Sequence, residues 1–146
     1  MKNSRVCVDA SLIVPILLPH PLSEKAEALL AHFREEDAIL HAPALMAFEV
    51  VSTIRGFVHL NMISPARGEQ AITQFLRMPI RLSSRSGIFP LALRLAEEFN
   101  RPRAYDTAYL ALARILDCEF WTSDERLYNA VSPKLSWVKW IGNFAP

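Results

Sequence analysis

No run of about 18 apolar residues occurs in this chain, so no stretch of it is expected to span a membrane. Nor does its start combine a basic region, an apolar stretch and a small-residue cleavage site, the marks of a secretory leader. A soluble, cytoplasmic protein is the expectation. Cysteine is scarce: Cys7 and Cys118 are the only two. Both sit in short apolar runs that read as strands, and without an export signal they are expected to be reduced core residues rather than a disulfide. The four histidines, His20, His32, His41 and His59, show no HExxH or similar spacing, which leaves a zinc site without support. Any metal here should be held by oxygen. An excess of one charge is missing too. The net charge of +1 does not mark a nucleic-acid binder by itself, so any such case must rest on where particular arginines fall. Internal repeats, low-complexity segments and linkers are also absent. The chain has 146 residues, 51% of them hydrophobic, enough for one substantial core, and a single unit over residues 1–146 is expected.

What is present alternates between strand and helix signals. Arg5-Val6-Cys7-Val8 is short and β-branched, and a helical pattern follows from Ser11 until Pro19-His20-Pro21 must stop it. Ser23 reads as the N-cap of an amphipathic helix through Phe33. Ala38 to His41 is a second strand, and Pro43 suits the first turn of a long helix reaching about Asn61. Ser64-Pro65 starts another helix, Pro79 to Leu82 is a weaker strand, and Gly87 to Phe99 is a helix with Pro90 in its first turn. After the loop Asn100-Arg101-Pro102-Arg103, Tyr105 to Leu116 is apolar on nearly every face and is expected to be buried. Glu119 to Thr122 is a strand, Asp124 to Ala130 a short helix, and Leu135 to Val138 a last strand. This alternation predicts an α/β fold with a mainly parallel sheet.

Ligands of such a sheet bind outside the carboxyl ends of the strands, where the strand order reverses. Asp9 closes the first strand and Asp124 follows the strand ending at Thr122, so both are expected to face one crevice. Asp106 begins the buried helix, and Glu49 lies one turn into a helix among Leu45, Met46, Phe48, Val50 and Val51. Two unit charges about 4 Å apart interact by about 4 kcal/mol at an effective dielectric near 20, so four carboxylates brought together would repel strongly. A divalent cation reverses the sign of that effect, and carboxylate with water suits Mg²⁺ or Mn²⁺. Such an ion activates water and stabilises charge on a phosphodiester under in-line attack. Taken singly, each aspartate is better explained by helix capping, and Glu49 by a surface position or an ion pair with Arg55 or another base. Ser11, Thr107, Thr122 and Ser123 are candidates to hydrogen-bond the carboxylates.

The segments Val6-Cys7-Val8-Asp9-Ala10-Ser11, Ala42-Pro43-Ala44-Leu45 running into Phe48-Glu49-Val50, Tyr105-Asp106-Thr107-Ala108-Tyr109-Leu110-Ala111-Leu112-Ala113 and Trp121-Thr122-Ser123-Asp124-Glu125-Arg126-Leu127 together resemble the PIN-domain nucleases, and among them the VapC-like toxins of toxin–antitoxin pairs. The first segment is weak alone, whereas the third and fourth at this spacing are specific. The family's acidic positions fall on Asp9, Glu49, Asp106 and Asp124. The resemblance implies a three-layer α/β/α fold, Mg²⁺- or Mn²⁺-dependent cleavage of RNA, a homodimer, and inhibition by an antitoxin (VapB-like or other) that covers the active site. Trp121 departs from the aliphatic residue more usual there, and the loop before Asp106 is more basic than expected. Arg101 and Arg103 in that loop are candidate contacts to RNA phosphate.

Other readings make distinct demands. A haloacid-dehalogenase-type phosphatase wants a second aspartate two residues after the first, where this chain has Ser11. A response-regulator receiver needs an early acidic pair and a late strand-end lysine, and neither is evident. A catalytically inactive PIN-like binding or assembly module, or a solitary RNA-processing nuclease, is compatible with the same residues.

Overall fold

The computed structural model describes residues 4–146. The order of elements is β1 (Arg5–Val8), α1 (Ala10–Leu17), α2 (Ser23–Glu35), β2 (Ile39–Pro43), α3 (Leu45–His59), α4 (Pro65–Arg77), β3 (Ile80–Ser83), α5 (Ile88–Glu98), α6 (Tyr105–Leu116), β4 (Glu119–Thr122), α7 (Glu125–Val131) and β5 (Val138–Trp140), followed by one 3₁₀ turn, Ile141–Asn143. All ladders are parallel and the spatial order is β3-β2-β1-β4-β5.

This order follows from the handedness of crossovers. The chain steps outward from β1 to β2 to β3, then returns past both to place β4 on the other side of β1. Right-handed connections put the helices of outward and returning steps on opposite faces. Accordingly α1 packs with α2, α3 and α4, while α5 and α6 pack together, α6 lying on β1, β2 and β4. The result is the expected three-layer α/β/α arrangement. The strand order reverses between β1 and β4, so the crevice at their carboxyl ends is the natural ligand position.

The core is built from both faces of the sheet. Val6, Cys7 and Val8 of β1 are all buried, as is Phe120 of β4. Helix α6 is covered continuously from Thr107 to Ala113, which explains its apolar sequence. Both cysteines are free; Cys7 lies in β1, and Cys118 immediately precedes β4 rather than lying in it.

Three local expectations are corrected. Pro43 ends β2 instead of opening α3. The backbone N–H of Ala44 donates to Ser83 in β3 at 2.8 Å, so the alternation of a strand turns the Pro43 nitrogen toward β1, whose ladder with β2 has already ended at Cys7 and His41. Ser23 is the first residue of α2 and Leu22 its cap position; the Ser23 hydroxyl accepts the His20 N–H at 2.9 Å and donates to the Leu18 carbonyl at 3.3 Å. The last strand lies three residues later than expected. Leu135 is buried, but it caps the turn after α7, its N–H bonding Val131, and an apolar run of that length has the same pattern whether it fills a turn or a strand.

Candidate active site

Asp9 immediately follows β1. It occupies the N-cap position of α1 but makes no side-chain capping bond, so capping does not account for it. The residue is 8% exposed, and its carboxylate is held by two hydroxyls that converge on Oδ2: Ser11 Oγ donates at 3.0 Å and Thr122 Oγ1 at 2.7 Å. Each hydroxyl has one hydrogen, and each also accepts a backbone N–H from the β4–α7 loop, Ser11 from Ser123 at 3.1 Å and Thr122 from Asp124 at 3.0 Å. These acceptor roles fix both hydroxyl hydrogens toward Asp9, whose Oδ2 must then be an acceptor. Pro15 adds a third tie. Lacking an N–H, it leaves the Ser11 carbonyl without its helical partner, and the Ser123 hydroxyl donates to that carbonyl at 3.4 Å.

Asp124 does cap a helix. One of its oxygens accepts the Leu127 N–H at 3.1 Å, so the capping reading holds for α7. Asp106 is the second residue of α6, inside the first turn, with Arg101 Nη2 at 3.5 Å from its Oδ2. Glu49 accepts a 2.6 Å hydrogen bond from the Tyr109 hydroxyl and forms no ion pair with Arg55 among the described residues. Its setting is less apolar than its sequence neighbours suggest: Phe48 and Val51 are exposed, because adjacent positions on a helix point to different faces. The buried stripe of α3 is Met46, Val50 and Ile54.

Asp9, Glu49, Asp106 and Asp124 all line one cleft of about 380 Å³. Their electrostatics are linked. Burial raises the pKa of Asp9, against the lowering effect of its two hydroxyls, and the charge of Asp106 raises it further. Glu49 is raised by burial, with Asp9 and Asp106 adding to the shift and Tyr109 opposing it. Asp106 is raised by burial and then by Asp124, Arg101 opposing. Repulsion therefore connects all four acids through Asp106. The donor set is entirely oxygen, which fits a hard divalent cation. Among the described residues no three His, Cys, Asp or Glu side chains close tightly enough to cage an ion; the carboxylates line the cleft walls instead.

The remaining sequence candidates fall as follows. Ser11 and Thr122 bond Asp9. Ser123 serves Ser11 rather than a carboxylate, and Thr107 is turned away altogether, its hydroxyl donating to the Ala92 carbonyl of α5 at 2.8 Å. Arg101 reaches Asp106, whereas Arg103 lines a separate apolar groove with Phe89 and Tyr105. Tyr109 was missed because within Tyr105–Leu116 it reads as one more core aromatic; it is 1% exposed, and only a buried hydroxyl's need for a partner could have singled it out. His20, which also lines the acid cleft, was read only as part of a helix stop.

The PIN domain family model matches residues 6–132, a span that contains all four acids. A VapC ribonuclease of Mycobacterium bovis is 31% identical over 122 residues, covering 84% of this chain and 87% of that protein. Ribonuclease VapC9 of Mycobacterium tuberculosis matches equally, and ribonuclease VapC12 of the same organism is 33% identical over 122 residues, 84% of this chain and 88% of its own. With its β3-β2-β1-β4-β5 parallel sheet and this extent of likeness, the chain belongs to the PIN-domain family, among its VapC-like members.

Proposed function

We propose that this protein is a metal-dependent endoribonuclease, the toxin of a toxin–antitoxin pair, with Asp9, Glu49, Asp106 and Asp124 as its active-site acids and residues 1–146 forming one nuclease unit. The observation that carries this reading is the convergence of the four carboxylates on one cleft, where burial and mutual repulsion raise three of them above ordinary carboxylate values. Asp9, Glu49 and Asp106, with the oxygen of Asp124 not used in capping, would hold Mg²⁺ or Mn²⁺. Bound there, the ion supplies an activated water and neutralises charge developing on the phosphodiester. The chain's own residues prepare that site: Ser11 and Thr122 fix the direction of Asp9, Tyr109 fixes Glu49, and Arg101 partly offsets Asp106 near the substrate's path. RNA is the substrate and a VapB-like or other antitoxin the partner, by kinship with proteins named VapC ribonucleases. A homodimer and a cytoplasmic location belong to the same proposal; no described helix is long and apolar enough to cross a membrane.

The purified protein, free of any partner, is expected to cleave a pool of structured RNAs with Mg²⁺ or Mn²⁺ and to stop in excess chelator. Asp9→Asn and Asp106→Asn should abolish cleavage while leaving circular dichroism intact. Full activity in chelator would sink the metal mechanism. Tight binding of a small partner protein, with no hydrolysis of any RNA tested, would replace the enzyme by a binding module.

A further inference from the structure

The acid cleft extends beyond its carboxylates. The same cavity is lined by Thr53 and Phe57, one and two turns along α3 from Glu49, by Val14 and Pro15 of α1, and by His20 of the α1–α2 loop. Nothing in metal binding requires these residues.

His20 is exposed, yet it is held as a buried residue would be. Prolines on both sides, Pro19 and Pro21, restrict the backbone around it. Its N–H donates to Ser23 Oγ at 2.9 Å, and its carbonyl accepts the Ser23 N–H at 2.9 Å. The imidazole is fixed as well: Nδ1 accepts the Leu22 N–H at 3.0 Å. In the neutral ring that assigns the proton to Nε2, which is left as a donor. Ser23 thus spends its hydroxyl on this loop instead of capping α2. An exposed side chain normally keeps its rotamer freedom and gives it up only on binding a partner. Here that ordering has been done in advance, in a residue that lines the cleft.

We infer that the Val14–Pro15–His20–Phe57 end of the cleft is a nucleobase subsite, receiving the base of a nucleotide adjacent to the phosphodiester at the carboxylates. Phe57 offers an aromatic ring and His20 one directed N–H donor, while Val14 and Pro15 give an apolar wall. An aromatic face with a few fixed polar groups is how single-stranded nucleic acid is gripped. The cleft, about 380 Å³ in all, is of the size of one nucleotide. The substrate would therefore present an unstacked base from a loop or single strand, and His20 would favour bases with an acceptor in reach. This inference rests on the ribonuclease reading for its substrate, but its binding test does not.

The four ribonucleosides, which carry no phosphate and need no metal, can be titrated separately into the protein, with ribose as the control, while the His20 and Phe57 ring resonances are followed by NMR. At least one nucleoside is expected to shift both rings where ribose shifts neither, with the response lost in His20→Ala and Phe57→Leu. In cleavage assays on a randomised single-stranded RNA, both variants should lose roughly tenfold in kcat/KM, the scale of one base-stacking contact, and should flatten the base preference beside the cut. His20 is exposed and Phe57→Leu keeps bulk, so folding is checked by unchanged urea midpoints. If nucleosides and ribose act alike, or if cleavage keeps its rate and base preference in both variants, the subsite is wrong even where metal-dependent cleavage holds. Nucleoside binding without any cleavage would keep the subsite and overturn the enzyme reading.

Discussion

The Thr122 hydroxyl joins two parts of the site, and Thr122→Val removes it while nearly keeping the side chain's shape. Two hydrogen bonds go: the one donated to the Asp9 carboxylate at 2.7 Å and the one accepted from the Asp124 N–H at 3.0 Å. A hydrogen bond to a charged group contributes about 1.5–3 kcal/mol, and the upper half of that range applies because Asp9 is buried. The Asp124 N–H is part-buried, and leaving it unpaired costs about 1 kcal/mol more. The expected loss is about 3.5 kcal/mol, read by urea denaturation at pH 7 with linear extrapolation. A domain of ordinary stability still folds after such a loss. The decisive comparison is the same substitution in an Asp9→Asn background. There the hydroxyl meets a neutral amide, the bond is worth about 1 kcal/mol, and the cost of Thr122→Val should fall by about 1 kcal/mol or more. If the two costs agree within about 0.5 kcal/mol, the hydroxyl does not act on the Asp9 charge and the account of the site is refuted.

The remaining predictions concern the acids, the cysteines and one helix contact. Asp9, Glu49 and Asp106 have folded pKa values raised above their unfolded ones, so the metal-free fold binds protons that the unfolded chain releases, and the stability this contributes is lost as pH rises from ordinary carboxylate values through the raised ones. His41 is lowered, chiefly by burial and then by Arg81, and works in the opposite direction. The clean measurement is therefore the gap between urea midpoints with and without Mn²⁺, which should widen as pH rises from about 4 to 7; a constant gap would separate the ion from these acids. Tyr109→Phe should weaken the apparent Mn²⁺ affinity for cleavage with a stability loss of only about 1–2 kcal/mol, since the freed, half-buried Glu49 can be solvated; an unchanged Mn²⁺ dependence would make Tyr109 purely structural. Iodoacetamide should modify Cys118 well before Cys7, which is fully buried, as mass spectrometry of the native protein will show. Gly68→Ala should destabilise by about 1–3 kcal/mol, because a Cβ there meets Val58 Cγ2 at 2.8 Å across the α3–α4 contact; an unchanged melting temperature would mean that contact yields freely.

The sheet was readable because buried parallel strands are short β-branched or aromatic runs, as Arg5–Val8 and Glu119–Thr122 are. The α6 helix was readable from its unbroken apolar faces. Local chemistry read less well. Pro43 is equally at home as a first helical residue or where a strand outlasts its neighbour, and only the β1–β2 register decides between them. The same limit applies to the acids: three aspartates at helix starts look alike in sequence, yet Asp124 caps, Asp9 does not, and Asp106 lies two residues past the cap position. Ser11 and Thr122 were legible as candidates together with Thr107 and Ser123, and only the fold, which brings Thr122 to Asp9 across 113 residues, separates the pair that bonds the carboxylate from the pair that does not. The roles of Tyr109 and His20 depend on partners that no periodicity reveals.

That separation along the chain also orders events in time. During synthesis β1 emerges first and has only β2 beside it until β4 arrives to fill its other side. Asp9 is made early in the domain, but the hydroxyl that aims it comes from Thr122, 113 residues later, and the loop that steadies it from Ser123. A ribosome-bound chain stalled before that point carries the acid without its harness. A nuclease that must not attack the RNA of the machinery producing it gains, from topology alone, a delay until the β4 side of its sheet has been made.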